Sequence, residues 1–163
     1  MPVVVAVISV AGVRGIVGES FDPAVVARFS AAFARALPGS GPIVIGRDAR
    51  LTGPMVRLAA CAGLNAAGRD VIDIGLATTP TTQLAVEHLR AAGGIILTAS
   101  HNPAPWNALK FLSAAGEFLG HAAGSEVRDR FETNRDLWAS WDRVGSVREE
   151  SNALGWHLER VLG

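Results

Sequence analysis

One pattern recurs along the chain and constrains its fold more than any other feature: a short apolar run, then a proline-marked helix start, then a helix that stops at glycine. Val3–Ser9 is followed by Asp22-Pro23, Pro42–Gly46 by Thr52-Gly53-Pro54, and Asp70–Ile74 by Thr79-Pro80. Proline is tolerated in a first helical turn and Asp22 before Pro23 can cap the free N–H groups, so these points open helices. The spacing predicts helices from Pro23 to about Leu37, from Gly53 to about Gly68, and from Thr79 to near Gly93-Gly94, where the next apolar run, Ile95–Leu97, begins. Strands alternating with helices of this length predict a layered α/β sheet, largely parallel.

Ala108–Ser113 follows Leu97 too closely for a helical crossover, so it must run back antiparallel, making residues 98–107 a wide hairpin connection. Beyond Gly116 the chain turns more polar. A charged helix around Ser125–Arg135, a strand at Val144–Val147 and a last helix from about Asn152 are expected, with Trp138, Trp141 and Trp156 as packing residues, within this domain or against one outside it. The last helix has an apolar face, from Val161 and Leu162, and no later element to cover it, so the chain reads as cut there. With 163 residues, 49% of them hydrophobic, the chain can bury one core and hardly two.

Fifteen basic residues balance fifteen acidic ones. That balance gives no electrostatic case for nucleic acid or an anionic membrane, and the N-terminal apolar run is too short to span a bilayer. The single cysteine, Cys61, has no internal partner, which fits a cytoplasmic protein. His121 and His157 lack neighbours at metal-ligand spacing and read as surface positions.

The chemistry concentrates in Thr98-Ala99-Ser100-His101-Asn102-Pro103, with Trp106-Asn107 and Lys110 behind it. A hydroxyl, an imidazole, an amide and an ammonium stand together just past a buried strand, where open α/β sheets bind their ligands. Asn102-Pro103 stiffens the segment, because proline fixes its own φ and restricts the residue before it. Ahead of it, Gly12-Val13-Arg14-Gly15-Ile16-Val17-Gly18 reads as a glycine-rich binding loop, and Gly46-Arg47-Asp48-Ala49-Arg50 as an ion-pair network bracing a loop. A Ser/His hydrolase is disfavoured, since the Gly-x-Ser-x-Gly elbow is missing.

In register along the chain, these motifs resemble the first domain of the α-D-phosphohexomutases, the phosphoglucomutase/phosphomannomutase family. The match rests on Thr98 to Pro103 with Trp106-Asn107 and Lys110, on Gly12 to Glu19, on Gly46-Arg47-Asp48-x-Arg50, and on Thr79-Pro80-Thr81. Two departures are Ile8-Ser9-Val10-Ala11 where the family has a Phe-Gly-Thr type segment, and Ala108 where glycine is common.

The resemblance implies a three-layer α/β/α domain over residues 1–150 with a mixed four-stranded sheet, three strands parallel and one antiparallel at the edge. Residues 151–163 would begin the link to a second domain. It implies a phosphoserine at Ser100, a hexose phosphate substrate passed through a bisphosphate intermediate, and catalytic roles for Ser100, His101, Lys110 and Arg14. Arg14, Asn102 and Lys110 would bind phosphate. Mg²⁺ would meet the Ser100 phosphate, with its other ligands outside this chain, and hexose 1,6-bisphosphate would be the activator. The remaining domains would be partners of this one, and the chain alone would turn over little. The alternative is a phosphosugar-binding module without catalysis.

Overall fold

A computed structural model describes residues 7–9 and 12–163. In chain order the elements are β1 (Val7–Ser9), β2 (Gly12–Ile16), α1 (Pro23–Ala36), β3 (Ile43–Arg47), α2 (Gly53–Ala66), β4 (Val71–Leu76), α3 (Thr79–His88), β5 (Gly93–Leu97), β6 (Trp106–Leu112), α4 (His121–Thr133), β7 (Val147–Glu149) and α5 (Ala153–Leu162). The expected first strand is present at Val7–Ser9, and its residues 3–6 lie outside the described residues.

The proline-marked helix starts hold. Asp22 accepts the Val25 N–H at 2.8 Å and caps α1, and Thr78 accepts the Thr81 N–H at 3.2 Å to cap α3. α3 ends earlier than the glycines suggest, because Arg90 turns to a φ of 50° just beyond it. α4 begins a turn earlier than its charged residues do and stops where Asn134 takes the left-handed conformation at φ 52°.

Among the described residues the sheet has seven strands, in the order β1-β2-β6-β5-β3-β4-β7. The expectation of four strands is therefore corrected, and so is the place of the antiparallel strand. β6 does run antiparallel to β5, as expected, but it is interior, because β2 pairs with its other side and β1 with β2. The reason lies in Gly12–Ile16. Glycine there marks a close approach of two chains and not a turn: a Cβ on Gly12 would run into the Leu109 carbonyl on β6. At the opposite edge β7 pairs parallel to β4, starting at Val71↔Val147. The strand begins later than predicted because Ser146 is still anchored, donating both its N–H and its hydroxyl to Asp70 at 2.8 Å.

Side chains alternate across the pleat and build two cores. Ile43, Ile45, Ile95, Leu97, Leu109 and Phe111 face α1, α2 and α4. Val44, Ile72, Ile96 and Leu112 face α3 and α5. The three layers match the expected α/β/α architecture. α5 is held on α3 by a stack of Trp156 on His88, ring centroids 4.0 Å apart, and by a 2.7 Å hydrogen bond between Thr81 Oγ1 and His157 Nδ1. His157 is thus half-buried and packed, a correction to its reading as a surface residue, while His121 is exposed. Trp141 is 89% exposed and Trp138 half-exposed, so neither packs fully within this domain.

The strand order fixes where a ligand can bind. From β3 the chain crosses by α2 to β4 on one side, then returns by α3 to β5 on the other, so strand order reverses between β3 and β5. At such a reversal the connections leave in opposite directions and open a crevice beyond the carboxyl ends. The segment beginning at Thr98 emerges there.

Candidate functional site: the Ser100 loop

Leu97 ends β5 opposite Arg47 of β3 on one side and Leu109 of β6 on the other. Its carbonyl accepts the Asp48 N–H at 3.1 Å, which seats the β3–α2 turn beside the loop. The loop then folds on itself. Thr98 Oγ1 accepts the Ser100 N–H at 3.0 Å, the Ala99 carbonyl accepts the Asn102 N–H at 3.1 Å, and the Pro103 carbonyl accepts the Trp106 N–H at 3.0 Å. Ala99 is buried beneath it.

Ser100 has a φ of 55°, the left-handed region that a residue with a Cβ enters at a cost of about 1–3 kcal/mol. Its side chain is exposed, as is that of His101, and Asn102 is half-buried. Both backbone polar groups of Ser100 are engaged by the protein: the N–H by Thr98 and the carbonyl by Arg50 Nη2 at 2.9 Å. The loop's far end is anchored by Asn107, fully buried, whose Nδ2 donates to Thr52 Oγ1 at 2.9 Å at the start of α2.

Arg14 lies on β2, not on a loop as its glycine-rich surroundings suggest. It pairs with Ala108, one residue past the Leu97↔Leu109 pair, so it stands toward the end of the sheet from which the Ser100 loop leaves, two strand spacings, roughly 10 Å, from β5. Lys110 pairs with Gly12 and Ile96. Arg14 and Lys110 are diagonal cross-strand neighbours on the face opposite Val13 and Leu109, within reach of one another for long side chains. Together with Ser9, Gly12 and Phe118 they line an open cavity of about 310 Å³. The Lys110 Nζ lies 5.9 Å from the centroid of the Phe118 ring.

The predicted site residues thus fall into two groups, one on the loop beyond β5 and one on the face of β2 and β6. Ser100, His101 and Asn102 share the stiffened loop, and Arg14 and Lys110 share the cavity. Among the described residues no hydrogen bond or ion pair joins the two groups. Nor do the described residues include a cluster of three or more His, Cys, Asp or Glu side chains able to hold a metal ion. No helix is long and apolar enough to cross a membrane among the described residues.

The residue the catalytic reading missed is Arg50. Its Nε meets Asp48 Oδ2 at 3.2 Å, the ion pair that Gly46–Arg50 suggested. Its Nη atoms donate to the carbonyls of Ser100, Asn102, Pro103 and Trp106 at 2.8 to 3.0 Å. The signal in the sequence was the Asp-x-Arg spacing, but nothing in it named carbonyl oxygens fifty residues away as partners.

Comparison with known proteins agrees with this architecture. Residues 7–137 match the family model for phosphoglucomutase/phosphomannomutase, alpha/beta/alpha domain I. The chain is 38% identical to a phosphoglucomutase/phosphomannomutase of Thermococcus kodakarensis over 85% of its own length and 31% of that protein's. It is 35% identical to a probable phosphoglucosamine mutase of Methanopyrus kandleri over 93% of its length and 33% of the relative's. Among solved structures, a phosphoglucomutase/phosphomannomutase family protein of Burkholderia thailandensis superposes with a TM-score of 0.80 at 28% identity, covering 96% of this chain and 36% of that one. The chain therefore spans about a third of the length of the relatives it matches, and over that span it belongs to the phosphoglucomutase/phosphomannomutase family as an α/β/α domain I.

Proposed function

We propose that residues 1–150 are the phosphoserine-bearing domain of a hexose-phosphate mutase and that residues 151–163 lead toward further domains that complete the enzyme in the cytoplasm. The observation that carries this reading is the placement of Ser100. It is an exposed hydroxyl on a loop braced from both sides, at the crevice between β3 and β5, in a chain of mutase family membership.

In the forward step a hydroxyl of a hexose monophosphate attacks the phosphorus on Ser100 Oγ. The P–Oγ bond breaks, a P–O bond to the sugar forms, and the hydroxyl proton passes by way of a nearby base, for which His101 is our candidate, to the departing Ser100 Oγ. The bound product is a hexose bisphosphate. After it reorients, its other phosphoryl group returns to Ser100 Oγ, and the proton goes back to the sugar oxygen left behind. Such transfers draw their rate from alignment and from charge stabilisation. A phosphoserine carries about −1.5 to −2 charge near neutral pH, which Arg14 and Lys110 can offset from the cavity beside it, Arg14 through its planar fork and Lys110 as a point charge. Asn102 offers an amide to a phosphate oxygen. Mg²⁺ would take another phosphate oxygen and stabilise charge on the transferring group; with no ligand cluster of its own among the described residues, this domain would contribute only the phosphate. Hexose 1,6-bisphosphate would prime Ser100. The relatives' names include phosphoglucosamine mutases beside phosphoglucomutase/phosphomannomutases, so the hexose is the open variable.

The test is mutase turnover of glucose, mannose and glucosamine 1-phosphates by the protein at its natural length, with and without Ser100→Ala. Turnover of one of the three that falls roughly 10³-fold or more in the variant, the scale at which covalent nucleophiles matter, is expected. Turnover that survives Ser100→Ala would refute the phosphoserine route. Phosphosugar binding with no turnover in the unaltered protein would point to a binding module.

A further inference from the structure

We infer that Arg50 is the positioning residue of the Ser100 loop: its guanidinium holds Ser100 in the left-handed backbone conformation that presents Oγ for phosphoryl transfer. The inference deepens the phosphoserine reading and rests on it. A guanidinium has five N–H donors fixed in one plane, and in this structure all five are engaged. Nε meets Asp48 Oδ2 at 3.2 Å. Nη1 donates to the carbonyls of Pro103 and Trp106 at 3.0 and 2.9 Å, and Nη2 to those of Ser100 and Asn102 at 2.9 and 2.8 Å. Asp48 is itself fixed, because its Oδ1 accepts the Arg50 N–H at 3.0 Å and its own N–H binds the Leu97 carbonyl at 3.1 Å. The clamp is therefore mounted on the end of β5, the strand that delivers the loop.

Four carbonyls pointing at one cation form an inward-facing ring. Carbonyls so close together repel one another, and a chain with a Cβ at φ 55° prefers another conformation. Both costs are offset only while the cation is present. With the Ser100 carbonyl turned toward Arg50 and its N–H held by Thr98, the peptides on both sides of Ser100 are held, while the residue that carries Oγ stays exposed. No donor of Arg50 remains for a phosphate oxygen. It acts through Ser100, and its loss misplaces the phosphoryl group without removing a contact to the sugar. Lysine is a poor substitute, since a single ammonium has three donors on a point and cannot span four carbonyls.

The experiment uses the protein at its natural length, unaltered and as Arg50→Lys and Arg50→Ala. For each, four quantities are measured: phosphate occupancy of Ser100 by mass spectrometry, kcat and KM for the hexose phosphate, thermal melting, and amide exchange at Asn102 and Trp106. Phosphate on Ser100 in the unaltered protein is required by the underlying reading. Its absence overturns that reading and, with it, the purpose assigned to the clamp. Given phosphate there, the clamp predicts that Arg50→Lys lowers kcat roughly a hundredfold, the cost of an ångström-scale misplacement. KM should stay within about twofold, as for a loss felt only in the transition state. Exchange at Asn102 and Trp106 should accelerate while the melting temperature changes little. A kcat within twofold of the unaltered protein, or unchanged exchange, overturns the inference. If either variant melts early, guanidinium ion added to Arg50→Ala supplies the missing donors: recovery of melting and of kcat together supports the positioning role, and recovery of melting alone overturns it.

Discussion

Ser100 illustrates how one residue can be held in a costly conformation by its neighbours. Its φ of 55° is tolerated because Thr98 and Arg50 satisfy the peptide on both sides, so the strain sits at the one hydroxyl proposed to react. The chain's lone cysteine shows the opposite use of burial. Cys61 is 5% exposed within the α1–α2 core. Burial, and secondarily the charge of Asp73, push its thiol up to about 11 from an ordinary 9.0, against a smaller opposing pull from Arg57. A thiol whose folded pKa is raised ionises first in the unfolded chain. Above pH 9 the unfolded state therefore holds fewer protons, and stability falls as pH rises toward 11. Urea midpoints should drop across that window more in the unaltered protein than in Cys61→Ala, and the native thiol should react slowly with thiol reagents at pH 8. Equal drops in both proteins would remove Cys61 as the cause.

At the scale of elements, packing decides where propensity would mislead. Gly63 sits in the middle of α2, where alanine is intrinsically better by about 1 kcal/mol. A Cβ there would press into the backbone of Ala27 on α1, so overpacking, at about 1–3 kcal/mol, wins. Gly63→Ala should thus lower the urea unfolding midpoint; a raised midpoint would show that α1 can shift to make room. The same contrast explains what was legible in the sequence. The proline-marked starts of α1, α2 and α3 and the antiparallel return of β6 are local or near-local signals, and they were readable. The strand β2 was not, because its glycines serve a pairing with β6 nearly a hundred residues later, and the same glycines favour turns when read alone. β7 was displaced by the Asp70–Ser146 anchor, also a distant contact. Within the candidate site, Ser100, His101, Asn102 and Lys110 stand out by residue type and spacing. The carbonyl clamp does not, since backbone oxygens leave no trace in side-chain identity.

At the scale of the whole molecule, the proposed chemistry is divided. This domain offers a braced serine at the sheet's reversal point and two cations in a cavity on β2 and β6, while relatives are about three times as long. α5, seated on α3 through Trp156 and His157, leaves Leu154, Leu158, Val161 and Leu162 exposed, an apolar face suited to a following domain. On the proposed reading, the phosphoryl carrier is Ser100 in this domain and sugar recognition falls to the other domains. The most direct measurement is the intact mass of the protein purified from its natural host, with fragmentation to locate any phosphate. One phosphoryl group on Ser100 is predicted. Protein that converts hexose phosphates while Ser100 stays unmodified, even after exposure to hexose 1,6-bisphosphate, would contradict it.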